Sequence, residues 1–183
     1  THHIPCGVFF GIQSIIGPGC VIHVETFLEE IEALEKEGIP ARELISVASN
    51  THLITDFHRI EDNKDTSIGT TKRGNGPAYR DKYARKGIRA IEDPRLKPFI
   101  VNMYHELYEN EKYKFKEINI LFEGAQGFGL DPDWGDYPFV TSSSASSSGI
   151  STGLGLPTTK VETLIGILKA YTTRVGTGPF PTE

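Results

Sequence analysis

Apolar and polar positions alternate along this chain with two different periods. The helical one is clearest over residues 25–37. There Phe27, Leu28, Ile31 and Leu34 recur at i, i+3/i+4 and i+7, while Glu29, Glu30, Glu32 and Lys36 cover the other face. Thr26 and Glu29 stand at capping-box spacing, and Gly38 with Pro40 supplies a stop. Ahead of this helix, residues 4–24 set short apolar runs between glycines and prolines, which predicts strands joined by tight turns. Behind it, residues 44–48 and 52–55 predict two short strands around a turn at Asn50.

Residues 61–76 are polar and glycine-rich and predict a surface loop, followed by a polar, basic segment over 79–89. Phe99, Ile100, Met103 and Leu107 predict a second amphipathic helix over 98–108. Residues 118–122, apolar except for Asn119, predict a buried strand that ends at Glu123-Gly124. The β-branched and aromatic residues of 164–175 predict another strand. The serine run 142–148 lies close between apolar elements and reads as an ordered loop. Alternating helices and strands predict an α/β class. The length prior puts residues 1–183 in a single domain, or the central portion of a longer one, and no internal repeat is visible.

Composition narrows the function. With 24 acidic against 19 basic residues the net charge is −5, which argues against a partner bound through nucleic-acid phosphates. The most apolar stretch, residues 8–24, is broken by Gln13, Pro18, Gly19 and His23, so no membrane partner is expected. Cys6 and Cys20 make neither a disulfide framework nor a zinc spacing, which fits a reducing compartment and a cytoplasmic location.

Three segments could carry chemistry. Gly69-Thr70-Thr71-Lys72-Arg73-Gly74-Asn75-Gly76-Pro77-Ala78-Tyr79 combines glycines for close backbone approach with hydroxyls and two cations, which suits a phosphate. It lacks the Gly-Lys-Ser/Thr ending of a P-loop, and its composition alone fits a plain loop equally well. Phe122-Glu123-Gly124-Ala125-Gln126-Gly127 follows a predicted strand, where ligands gather in open α/β sheets. Gln126 there offers a donor and an acceptor together, as a purine edge requires, and a glycine-bounded turn is the plain alternative. Asp131, Asp133 and Asp136 are spaced as cation ligands could be, but no distal bidentate glutamate follows, so no metal site is assigned.

Taken together, these segments resemble the adenylosuccinate synthetase family. The loop from Gly69 to Tyr79, continued by Asp81-Lys82 and Ala84-Arg85, looks like that family's signature loop. Phe122 to Gly127, Tyr137-Pro138-Phe139-Val140-Thr141-Ser142-Ser143 and Lys169-Ala170-Tyr171-Thr172-Thr173-Arg174-Val175-Gly176 match further motifs in order, and Phe180-Pro181-Thr182-Glu183 completes the last. The resemblance implies a P-loop-NTPase-like α/β core with a mixed, mostly parallel sheet flanked by helices. It also implies a two-step ligation in cytoplasmic purine biosynthesis: GTP phosphorylates O6 of IMP, then the amine of L-aspartate displaces that phosphate.

By the same resemblance, Thr71 and Thr141 hold the IMP phosphate and Val175 touches the ribose. Gln126 contacts the purine near O6 as the catalytic contact of this chain. Arg85 crosses a homodimer interface to the partner's IMP. The family's Gly-Asp-Glu-Gly-Lys-Gly and Asn-Ala-Gly-His segments and its guanine-reading Lys-x-Asp have no counterpart here. Ligands for Mg2+, like the GTP site, are therefore expected outside this chain, and the chain alone is expected to be inactive.

The stretch between Arg89 and Glu123 is shorter than in typical bacterial members, and Asn75 and Ser144 depart from common family residues. Two alternatives remain at this stage. One is a phage-type relative that joins aspartate to a guanylate. The other is a purine-nucleotide-binding module that lost its catalytic loop.

Overall fold

A computed structural model of the chain describes residues 1–109, 119–155 and 161–180. Five short strands form two parallel sets. β1 (Ser14–Ile16), β3 (Ile45–Ala48) and β5 (Ile100–Val101) make one sheet with β3 in the centre, in the register Ile16↔Val47↔Ile100. β2 (Val21–His23) pairs with β4 (His52–Ile54) through Ile22↔Leu53. Parallel partners need a crossover, and α1 (Val24–Lys36) with the single turn α2 (Ala41–Leu44) provides it. The α/β class with parallel sheet and flanking helices therefore holds.

The core confirms the helical period of α1. Phe27 and Ile31 are wholly buried, with Val24 and Leu34 beside them, against Ile16, Ile22, Val47 and Leu96. Phe27 meets Phe99 edge-to-face at 5.2 Å, a geometry worth about 0.5–1.5 kcal/mol beyond the area it buries. The first helix begins differently from the sequence expectation. His23, not Thr26, caps it: the Thr26 amide donates to His23 Nδ1 at 3.3 Å. That leaves the ring proton on Nε2, which faces Glu25 and Asp56 at 3.3 and 3.4 Å.

Several expectations are corrected. The predicted loop 61–76 begins inside a helix, α3 (Asp56–Lys64), and ends inside a second, α4 (Asn75–Tyr83), which also takes in the first five residues of the basic segment 79–89. The predicted helix over 98–108 is instead a 3₁₀ segment Pro94–Phe99, then β5, then a π-helical turn His105–Glu109. Pro94 and Pro98 account for the first of these, because neither can donate within a helix. Residues 119–122 and 164–175 form no strand: Leu121, Ile167 and Leu168 are exposed, and no described strand lies beside them to pair with. Position 118 lies outside the described residues. The serine-rich segment ends in a short helix, α5 (Ser148–Leu154), that rests on the turn holding Gly17 and Gly19.

Candidate functional site

The glycine-rich loop sits between α3 and α4, and polar contacts build its support. Thr55 caps α3 by accepting from the His58 amide at 3.3 Å, while the Thr55 amide donates to His58 Nδ1 at 3.1 Å. With Nδ1 accepting, the buried His58 carries its proton on Nε2 and donates to Asp81 Oδ2 on α4 at 3.2 Å. Arg80 closes the bracket, donating to Asp81 at 2.9 Å and pairing with Glu61 on α3. The Arg80 guanidinium, and after it His58, holds the Asp81 carboxyl below the usual carboxylate range.

Inside this bracket Asp62 is buried, and its two oxygens are shared between two loop donors. The Thr70 hydroxyl reaches Oδ1 at 2.7 Å and the Gly74 amide reaches Oδ2 at 2.8 Å. Lys72 pulls the other way, its ammonium donating to the carbonyls of Asp62 and Asp65 at the end of α3. Lys72 has φ 59, a left-handed conformation that a lysine adopts only at some cost, and its tie to α3 holds it there. Gly74 is also left-handed, at φ 83.

Two later segments close on this loop. Thr177 donates to the Ile68 carbonyl through both its amide, at 3.0 Å, and its hydroxyl, at 2.7 Å. This seats Gly176 against Gly69, where a side chain on Gly69 would meet the Gly176 Cα at 3.3 Å. Arg174 fastens the same segment to the next motif. Its guanidinium donates to the Phe139 carbonyl at 2.9 Å as well as to the carbonyls of Thr177 and Pro179. Tyr79 on α4 donates to the Gly19 carbonyl at 2.9 Å and lies within reach of Ser143; burial pushes its phenol up to about 12.

The acidic loop proves structural. Asp131 is buried and accepts from the backbone amides of Ser146, Asp133 and Trp134, and the Ser146 bond leads in holding its carboxyl low. Its neighbour Leu130 accepts the Thr141 amide at 2.8 Å, which ties Thr141 to the same loop.

The structure therefore joins the segments that carry Thr71, Thr141 and Val175. Thr71 stands exposed in the loop pinned by Asp62, Thr141 is half-buried two residues from Phe139, and Val175 is exposed beside Gly176. Among the described residues no hydrogen bond ties Arg85 or Gln126 to that group. Arg85, at φ 62, is exposed just beyond the end of α4, and no acidic side chain pairs with it among the described residues. Gln126 is exposed at φ 63, three residues after Glu123, whose carboxylate accepts from the amide and thiol of Cys6 at 3.1 Å.

Among the described residues no group of three His, Cys, Asp or Glu side chains could hold a metal ion. No helix among them is long and apolar enough to cross a membrane. Asp62 and Arg174 were not legible as site residues. Asp62 gave only a carboxylate seven residues before Gly69, and Arg174 a cation inside an apolar run.

This architecture matches known proteins. The family model described as adenylosuccinate synthetase matches residues 1–94 and 91–183. The chain belongs to the adenylosuccinate synthetase family. It is 38% identical over 233 aligned positions to the adenylosuccinate synthetase of Meyerozyma guilliermondii, covering 100% of this chain and 54% of that protein. The Psychromonas ingrahamii enzyme is also 38% identical, with 52% of its length covered, and a Zea mays relative at the same identity is named chloroplastic.

Among solved structures, the fully ligated adenylosuccinate synthetase of Plasmodium falciparum superposes with a TM-score of 0.83 at 32% identity, covering 98% of this chain and 52% of that one. The succinoaminodeoxyadenylate synthetase of cyanophage S-2L, bound to dGMP and dATP, superposes with a TM-score of 0.70 at 25% identity, covering 88% and 46%. The chain thus spans about half the length of the curated relatives it matches. An alignment of 233 positions against 183 residues also means that relatives carry residues within the matched span that have no counterpart here. The family model matches in two pieces that overlap at 91–94, inside the stretch between Arg89 and Glu123 that the sequence reading takes as shortened.

Proposed function

We propose that this chain forms the IMP-binding part of an adenylosuccinate synthetase. In that reaction the lactam oxygen of the purine is a poor leaving group until a phosphoryl group from GTP is placed on it. The amine of L-aspartate then takes its place at carbon and inorganic phosphate leaves. The residues here bind and orient the nucleotide. Thr71 offers a hydroxyl and an amide from a loop that cannot drift, because Asp62 and Lys72 hold it to α3. Thr141 adds a second hydroxyl for the phosphate, and Val175 lies along the ribose. Gln126, as catalytic contact, presents its amide to the purine near O6 and steadies the phosphorylated intermediate. Arg85 reaches the phosphate in the partner of a homodimer. No step is assigned to Mg2+.

The observation that carries this reading is the seating of the Arg174–Thr177 segment against Ile68-Gly69 and Phe139, which brings three separate motifs to one face. Fixing a ligand's contacts in advance in this way reduces the entropy lost on binding. The test is calorimetric titration of the chain with IMP and, separately, with dGMP. IMP binding that falls about tenfold in Thr71→Ala, the scale of one hydrogen bond to a charged group, is the expected result. Preference for dGMP moves the assignment to the guanylate-using relatives. Absence of binding to either nucleotide overturns it.

A further inference from the structure

We propose that Asp62 is a positioning residue for the phosphate-binding loop, setting the conformation in which Thr71 meets its ligand. The inference rests on the reading of Thr71 as a phosphate contact. Asp62 lies on α3 with 4% of its surface exposed, and a carboxylate so buried is costly unless its lone pairs are satisfied. Among the described residues no lysine or arginine side chain pairs with its carboxylate, since the Lys72 ammonium goes to the Asp62 backbone carbonyl. The carboxylate accepts from the Thr70 hydroxyl and the Gly74 amide, one on each side of Thr71, Lys72 and Arg73.

The loop is thus held at two points four residues apart, with Thr71 inside the span. A third tie stiffens it, since the Lys72 amide donates to Thr70 Oγ1 at 3.2 Å. One hydroxyl therefore receives from the loop and gives to the carboxylate.

The Asp62 carboxylate fixes the loop backbone through two neutral donors. Its negative charge works against an anion at the loop, so its part is to hold the conformation in which Thr71 is presented and not to attract the phosphate. Glutamate in place of Asp62 would push one methylene further into a closed space, and asparagine would keep the shape but offer only one accepting oxygen.

The test compares IMP with inosine, which lacks the phosphate, on the chain carrying Asp62→Asn, Asp62→Ala, Thr70→Ser or Thr70→Val. All titrations are run at a temperature where circular dichroism shows each variant folded. If Asp62 positions the phosphate contact, IMP affinity falls about tenfold or more in Asp62→Ala and Thr70→Val, less in Asp62→Asn, and is restored in Thr70→Ser, while inosine affinity changes little. Amide hydrogen exchange over residues 69–76 rises in the same order.

A merely structural role lowers both affinities together and leaves their ratio unchanged, which overturns the proposal. So does IMP binding that is indifferent to all four substitutions. Wild-type chain that binds neither ligand overturns the nucleotide reading itself, and with it this one.

Discussion

Replacing Gly74 by alanine separates the two reasons a glycine can be required. Gly74 and Gly38 share nearly the same left-handed backbone, at φ 83 and 81. Alanine at either position bears the left-handed cost, about 1–2 kcal/mol. At Gly38 that is all, since nothing lies within 4 Å of an added Cβ. At Gly74 the Cβ would stand 2.9 Å from the Arg59 amide nitrogen and from Ile54 Cγ2, and 3.0 Å from the His58 carbonyl carbon. Two of those three atoms are backbone of α3, so relief requires the loop to lift away and stretches the 2.8 Å bond from the Gly74 amide to Asp62.

Forced repacking of this kind adds about 1–3 kcal/mol. Gly74→Ala is therefore expected to cost about 2–5 kcal/mol and Gly38→Ala about 1–2 kcal/mol. Urea unfolding of the two variants and the parent, read at constant m-value, gives both numbers. Equal losses at the two positions would refute the tight seating of the loop on α3, because the steric part would then be missing.

Two further outcomes test other parts of the molecule. Burial lowers the pKa of His3 to about 4 against the opposing pull of Glu30, so below pH 6.5 the unfolded chain gains a proton that the folded one refuses. Stability should therefore fall between pH 6.5 and about 4, by up to about 3 kcal/mol, and His3→Gln should flatten the urea midpoint over that range. A wild-type midpoint that stays constant from pH 6.5 to 5 contradicts this. Glu30 acts lower down: burial raises its pKa, but the amides of His3, His2 and Ile4 outweigh that, and its share is lost only as pH drops through the carboxylate range. For Arg85, sedimentation equilibrium with and without IMP should show the nucleotide tightening the proposed homodimer in wild type and not in Arg85→Leu. A dimer constant indifferent to IMP removes that role.

What the sequence made legible divides along physical lines. The first helix and strands β1 to β4 could be read because burial drives them, and burial imposes a period on the chain. α3 could not, because its apolar residues Phe57 and Ile60 are both exposed, while the residues it buries are His58 and Asp62. Its one local signal was Thr55 ahead of an acidic first turn with Lys64 in the last. α4 was hidden by Gly76 and Pro77, which read as loop but are tolerated in a first turn. The stretches 119–122 and 164–175 show the opposite error. Strand propensity describes a side chain's fit to a neighbouring strand, and no described strand lies beside them.

The site follows the same division. Thr71, Thr141 and Val175 were reached through motifs, whereas the groups that hold their segments together act across long sequence separations. Thr177 reaches Ile68 over 109 residues and Arg174 reaches Phe139 over 35. The buried hydrophobic cluster, by contrast, runs from Ile4 to Phe99, with Ile100 at its margin. The two halves of the candidate site are therefore held by different forces. The loop with Thr71 is braced on α3 and α4, of which α4 lies against β2 and β4, through buried and charge-assisted hydrogen bonds. The segments with Thr141 and Val175 are attached mainly by hydrogen bonds to backbone carbonyls at partly exposed positions, each worth only about 0.5–1.5 kcal/mol net. A nucleotide that contacts both halves would add its own binding energy to the weaker attachment, so ligand binding should order the second half more than the first.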